Sequence, residues 1–194
     1  MPTVHTWQYL EYIVEGEGDD QYITIYGYDS AENPEHPHVH IPAEIEHEGT
    51  DLPVKRIGVS DPDPETMEGA PFATEGLESV NIEEGPEIIG VVAFGGSNIA
   101  EINLPDSIIT VENNAFEAAG LVKVNTNKVE TIQQESFRSN DIEEAYIGSS
   151  MEGQTLGEAA FRFNNIRRYS CRIPWVVWLL RRIDYEDSFS QIHR

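Results

Sequence analysis

The chain has 194 residues, 39% of them hydrophobic, enough for a sizeable core and too many for a wholly disordered polymer. Its 35 acidic and 12 basic side chains leave a formal charge of -23, which repels nucleic-acid phosphates and anionic membranes over most of the surface. A single cysteine, Cys171, excludes an internal disulfide framework; it falls on an apolar repeat position and reads as a buried thiol.

The first residues, MPTVHTWQYLEYIVEGEG, lack a basic start and a long apolar stretch, so no signal peptide is expected. Trp7–Val14 and Gln21–Ile25 are aromatic and β-branched strand candidates joined by EGEGDD, which reads as a hairpin connection. A β-hairpin over residues 1–35 would serve as the N-terminal cap that a stack of repeats needs.

His36, His38 and His40 recur at every second position, so a strand would place them on one side, with His47 nearby as a possible fourth nitrogen. Same-side neighbours on a strand lie about 7 Å apart, too far for three imidazoles to meet one zinc ion without a bend. These histidines are therefore weak metal candidates, and exposed polar residues are the expectation. Val39–Pro42 reads as a strand ending in proline, and Leu52–Gly58 as a further apolar step. The segment near 59–71 holds three prolines and four acidic residues between Gly58 and Phe72 and should bulge as a loop. Asp61–Glu65 offers oxygens to calcium but lacks the glycine and spacing of an EF-hand.

From about residue 71 the chain repeats. Phe72, Phe94, Phe116, Phe137 and Phe161 are separated by 22, 22, 21 and 24 residues. Five residues after each stands an aliphatic: Leu77, Ile99, Leu121, Ile142 and Ile166. Three further on come Val80, Ile102, Val124, Ala145 and Tyr169, and two beyond those Ile82, Leu104, Thr126, Ile147 and Cys171. Ile89, Val111, Ile132 and Leu156 precede the next Phe by five residues, and Ala93, Ala115, Ser136 and Ala160 precede it directly. Such register over many units marks a solenoid, because one unit cannot bury its apolar side chains alone. One short strand per coil, stacked into a parallel sheet, is expected, with the phenylalanines as an internal column. The turns after each Phe (GGSN, EAAG, RSN, RFNN) are rich in residues that tolerate positive φ.

Outward positions of these strands form two columns. Ser79, Glu101, Lys123, Glu144 and Arg168 make the first; Asn81, Asn103, Asn125, Tyr146 and Ser170 make the second. The three asparagines either bond to one another along the ladder or present amides to a protein or glycan. Tyr146 is the one aromatic in these columns, so stacking on a sugar finds little support.

The charge is uneven. Residues 1–161 carry a net -27 and residues 162–194 a net +4. The basic end includes Arg167 and Arg168 and runs into Ile173–Leu180, an apolar stretch with Trp175 and Trp178, followed by Arg181 and Arg182. That composition suits both a C-terminal cap and a protein interface over residues 174–194. The apolar stretch is too short to span a bilayer. Catalytic signatures are absent: the sequence has no G-x-S-x-G, no phosphate-binding glycine loop, no H-E-x-x-H and no dinucleotide fingerprint. No enzyme and no cofactor are expected.

These spacings resemble the BspA-like leucine-rich repeat family, whose pattern is roughly L-x-x-V-x-I-P-x-x-V-x-x-I-x-x-x-A-F. Residues 99–120, IAEINLPDSIITVENNAFEAAG, lie nearest to it, with Leu104–Pro105, the pair Ile108 and Val111, and Ala115–Phe116. The next units depart from it: Thr126 and Asn127 stand at the Leu-Pro step, then Gly148, with extra residues near 151–154. The resemblance spans roughly residues 36–173, most closely 71–173. It implies a mainly β, right-handed leucine-rich-repeat-type solenoid with a parallel sheet. Members occur in bacterial surface proteins, protist proteins and some phage proteins. The expected function is a non-catalytic structural or protein-interaction module, favoured as a component of a phage virion that docks on other subunits through residues 174–194. The alternative is a cell-surface adhesion module binding host protein or glycan. Homo-oligomerisation is compatible with the opposite charges of the two parts, and neither nucleic acid nor membrane is an expected partner.

Overall fold

The computed structural model describes residues 2–63, 65, 67–73, 76–148 and 155–170. The first strands are β1 (His5–Trp7), β2 (Leu10–Glu15) and β3 (Tyr22–Tyr28), an antiparallel meander with register Trp7↔Leu10 and Ile13↔Thr24. Trp7–Val14 is therefore two strands and not one. A tight turn at Gln8, with φ 53°, reverses the chain. Tyr9 is thereby carried to the backbone of His40, where its hydroxyl lies 3.3 Å from both the carbonyl oxygen and the amide nitrogen.

β4 (His38–Ile41), β5 (Glu44–His47) and β6 (Thr50–Ile57) follow. β5 and β6 form a hairpin closed at Glu48–Gly49, both with positive φ. β6 also runs parallel to β3, pairing Ile23 with Val54 and Ile25 with Ile57. The acidic loop leaves after β6 and is closed at its neck by the Val59 amide, which donates to the Gly69 carbonyl at 2.9 Å.

The repeats supply β7 (Ser79–Ile82), β8 (Ile88–Ile89), β9 (Glu101–Asn103), β10 (Thr110–Val111), β11 (Lys123–Asn125), β12 (Thr131–Ile132), β13 (Glu144–Tyr146), β14 (Thr155–Leu156) and β15 (Arg168–Ser170). Each coil thus makes two parallel ladders, not the single one expected. The longer strands β9, β11, β13 and β15 form one sheet; β6, β8, β10, β12 and β14 form the other, which the meander extends. The second ladder has a plain cause. Ile88-Ile89, Thr110-Val111 and Thr131-Ile132 are β-branched, hence extended, and their backbone groups must find partners when the coil above covers them.

The core is a set of columns. Phe72, Phe94, Phe116, Phe137 and Phe161 are buried and stack with centroids 5.0, 5.0, 5.2 and 5.0 Å apart and planes within 10°. That spacing is close to the strand separation of about 4.8 Å, so the rings follow the rise of the coils. Tyr28 continues the column beyond Phe72, at 5.3 Å. Leu77, Ile99, Leu121, Ile142 and Ile166 form a second buried column.

The turn around each Phe is periodic in conformation as well as sequence. Two residues before it stand Val92, Asn114, Glu135 and Ala159, with φ 57° in every case; two after it stand Gly96, Ala118, Ser139 and Phe163, with φ 52–67°. Only one of the eight is glycine. Left-handed conformations cost an L-residue about 1–2 kcal/mol, and the alternation offsets this by pairing backbone between coils. Phe94 donates to the Ala115 carbonyl at 2.8 Å, Phe116 to Ser136 at 2.8 Å and Phe137 to Ala160 at 2.8 Å. Ala118 and Ser139 donate likewise to Arg138 and Arg162, at 3.0 and 2.9 Å.

Asparagine side chains brace the last coils. The Asn140 amide nitrogen donates to the carbonyls of Phe116 and Phe137 at 2.7 and 3.0 Å, while its oxygen accepts from the Leu121 amide at 3.0 Å. Asn164 repeats this one coil on, donating to Phe137 and Phe161 and accepting from Ile142.

Candidate binding face

The outward side chains of β9, β11, β13 and β15 form a regular surface. Strict parallel register places Glu101, Lys123, Glu144 and Arg168 in one row, an alternation of negative and positive charge. Lys123 Nζ is 4.0 Å from Glu101 Oε2, and Arg168 Nη1 donates to Glu144 Oε1 at 2.5 Å. Like charges stacked directly would repel, so the alternation stabilises the ladder by a few tenths of a kcal/mol per pair. Arg167, beside it, is exposed.

The second row is Asn103, Asn125, Tyr146 and Ser170. Asn81 lies on β7, which no described strand bridge joins to β9. β7 pairs with β4 in a separate two-stranded sheet, with His38 opposite Ser79 and His40 opposite Asn81. Side chains link the neighbouring coils at this point: the Glu84 carboxylate accepts from the Asp106 and Ser107 amides at 3.0 and 2.8 Å. Among the described residues Asn81, Asn103 and Asn125 do not hydrogen-bond to one another through their side chains. Asn81 meets His40 Nδ1 at 3.0 Å, and Asn125 Oδ1 accepts from the Asn127 amide at 3.0 Å.

A shallow groove of about 290 Å³ runs along the end of this face, lined by Asp106, Asn125, Asn127, Lys128, Tyr146 and Gly148 among others. Lys128 Nζ lies 2.6 Å from Asp106 Oδ2, and that hydrogen bond and charge hold the ammonium above its ordinary range. Tyr146 is 40% exposed. The groove presents an ammonium, a carboxylate, amides and one aromatic ring, groups suited to a polar protein surface or glycan. It is open, with no sheltered nucleophile or base among the described residues that line it. Sequence reading missed Lys128 and Asp106, although the signal existed: they are 22 residues apart, one repeat.

The histidines are spread out. His36 Nδ1 meets the Tyr28 hydroxyl at 3.0 Å, His38 Nδ1 meets Ser79 Oγ at 2.9 Å, and His40 Nε2 lies 3.2 Å from Glu83 Oε1. His47 Nδ1 is 3.0 Å from the Tyr12 hydroxyl, with His5 packed beside it. Among the described residues no three His, Cys, Asp or Glu converge as a metal site, and this includes the described part of Asp61–Glu65. Near the last coil, the guanidinium carbons of Arg162 and Arg138 lie over the ring of exposed Phe163, at 4.7 and 5.4 Å from its centroid. Cys171, Trp175, Trp178, Arg181 and Arg182 lie outside the described residues. Among the described residues no helix is long and apolar enough to cross a membrane.

Residues 65–174 match the BspA type leucine-rich repeat region, with six copies. No curated protein sequence matches the chain significantly. Three solved structures have a similar fold. A leucine-rich repeat protein from Bacteroides capillosus is 17% identical, with 86% of this chain and 96% of that one covered and a TM-score of 0.56. One from Bacteroides ovatus is 19% identical, with 82% and 39% covered and a TM-score of 0.64. The pneumococcal vaccine antigen PcpA is 18% identical, with 84% and 48% covered and a TM-score of 0.54. The chain thus spans nearly all of the first but less than half of the other two.

Proposed function

The chain belongs to the BspA type leucine-rich repeat family, and we propose that it is a non-catalytic interaction module whose outward β9–β15 face and adjoining groove dock a protein. The carrying observation is the unbroken register of that face. Four strands hold two rows of polar side chains in fixed positions, so a partner meets a pre-ordered surface with little ordering cost. Tyr146 is the aromatic anchor, and the alternating charges supply specificity and orientation more than affinity. Similarity in fold to a vaccine antigen favours display at a cell surface, where the module would act in adhesion. The test is binding of the labelled chain to host cells and to glycan and matrix-protein arrays. Tyr146→Ala combined with Arg168→Glu should lower binding at least about tenfold, the scale of losing one interface anchor. Undiminished binding by the double variant would place the function elsewhere.

A second reading rests on the charge asymmetry. Residues 162–194 are basic in an otherwise acidic chain, which suits docking within a larger particle such as a virion through residues 174–194. Light scattering of the full chain, and its incorporation into the particle with and without residues 174–194, tests it. A monomer that binds no particle component, unchanged by the deletion, rejects this reading and leaves the surface reading standing.

A further inference from the structure

A second cavity, of about 560 Å³, lies away from the β9–β15 face, where the N-terminal meander meets the neck of the acidic loop. Glu11 and Tyr26 from β2 and β3, Tyr28, Glu68 and Met67 from the loop, and Val4 line most of it. Glycine shapes its floor. A Cβ on Gly27 would meet Glu11 Oε2 at 2.3 Å, so the carboxylate lies folded across the bare backbone there. Tyr26, also in the lining, donates to Glu68 Oε1 at 2.8 Å.

Among the described residues the lining carries two carboxylates and two phenols, and no lysine, arginine or histidine. The charges are also felt within it: after burial and the hydrogen bond to Glu68, the negative charges of Glu68, Asp63 and Glu11 all help to raise the Tyr26 phenol. Carboxylates set among aromatic and apolar walls, with no cation among the described lining residues, suit a cation that has an alkyl stem. The stem would lie along Val4 and Met67, the charge between Glu11 and Glu68, and the tyrosine rings would add cation–π attraction. The chain's net charge of -23 favours approach of such a partner.

We propose that this cavity receives the guanidinium or ammonium side chain of an arginine or lysine on a partner protein. This goes beyond the proposed function and rests on a different surface, so the two can fail separately. The test uses capped Gly-Arg-Gly and its isosteric, uncharged citrulline counterpart, titrated into the ¹⁵N-labelled full chain. Saturable shifts at the Gly27 and Gly69 amides are expected with the arginine peptide. They should weaken at least about tenfold with citrulline, in line with loss of a charge-assisted contact. Glu11→Gln with Glu68→Gln should abolish them while the repeat amides keep their positions. Glu17→Gln, at the far end of the β2–β3 hairpin, should leave them unchanged. The two peptides binding equally, or binding that persists in the double Gln variant, overturns the proposal. Free n-butylammonium binding more tightly than either peptide would assign the cavity to small amines and also overturn it.

Discussion

The carbonyl oxygen of Asn127 occupies the space that a side chain on Gly148 would need, 1.3 Å from the ideal position of its Cβ. These residues stand where residues 99–120 have Pro105, and the coils close differently there. Asn127 replaces the rigid proline by folding back: its φ is 42° and its side-chain amide donates to the Leu104 carbonyl at 2.5 Å. The next coil can follow only without a Cβ. Gly148→Ala should therefore destabilise the protein by about 3 kcal/mol, the upper part of the usual overpacking range, read as a lower urea midpoint. A midpoint equal to wild type would mean that the coils are not held this close.

Ala118 carries the opposite expectation. It is exposed and left-handed, with φ 52°. Glycine removes about 1–2 kcal/mol of local strain and adds roughly 0.5–1 kcal/mol of chain entropy cost. Ala118→Gly should thus stabilise by about 0.5–1 kcal/mol, seen as a higher melting temperature. Ala115→Gly, at a buried position outside the positive-φ set, should lower it. The same sign for both substitutions would show that the periodic left-handed positions carry no strain.

Asn140 tests the interior bracing. It is 5% exposed, and its amide joins the Phe116 carbonyl and Leu121 N–H of one coil to the Phe137 carbonyl of the next. Asn140→Ala leaves the buried Leu121 N–H unpaired and the Phe116 carbonyl with only the Ala119 amide at 3.4 Å, while Phe137 keeps the Asn164 amide, and should cost about 2–3 kcal/mol. Asn140→Asp keeps the shape but turns a donor into an acceptor facing the carbonyls of Phe116 and Phe137. Only the protonated acid can donate, so the fold holds that carboxyl above its ordinary range. The variant should be least impaired at low pH and lose stability as pH rises through the carboxylate range. Equal stability of Asn140→Ala and wild type in urea denaturation would mean that water replaces the amide.

The Phe spacing, the aliphatic columns and the outward rows were legible because each records one repeated environment, sampled several times along the chain. What escaped was set by contacts between coils or by single occurrences. RSN and RFNN read as turn formers, yet Asn140 and Asn164 act through interior side chains. Val92 and Glu135 adopt positive φ with no glycine to announce it. The turn at Gln8 hides within an aromatic run that alternates like one long strand. That β7 pairs with β4 and is not bridged to β9 was not legible, because register within a repeat does not ensure that adjacent coils hydrogen-bond. The cavity beside Glu11 and Glu68 joins segments more than 50 residues apart that share no pattern, so only the fold brings them together.

Tyr26 makes that junction measurable by pH. Burial, then the hydrogen bond to Glu68, then the charges of Glu68, Asp63 and Glu11, raise its phenol from 10.0 to about 12. Each favours the protonated, neutral form, so the folded state holds this proton more tightly than the unfolded chain does. The resulting stabilisation is fully present below pH 10.0 and is lost as pH rises through about 12. Tyr26→Phe has no proton to lose. The stability advantage of the wild type over Tyr26→Phe should hold steady from pH 8 to 9 and shrink between about pH 10 and 12, measured by paired urea titrations. Pairing cancels the parallel contributions of Tyr12 and Lys128, which are raised too but are common to both proteins. An advantage that stays constant through pH 12, or grows, would show that Glu68 and Glu11 do not close on Tyr26 in solution.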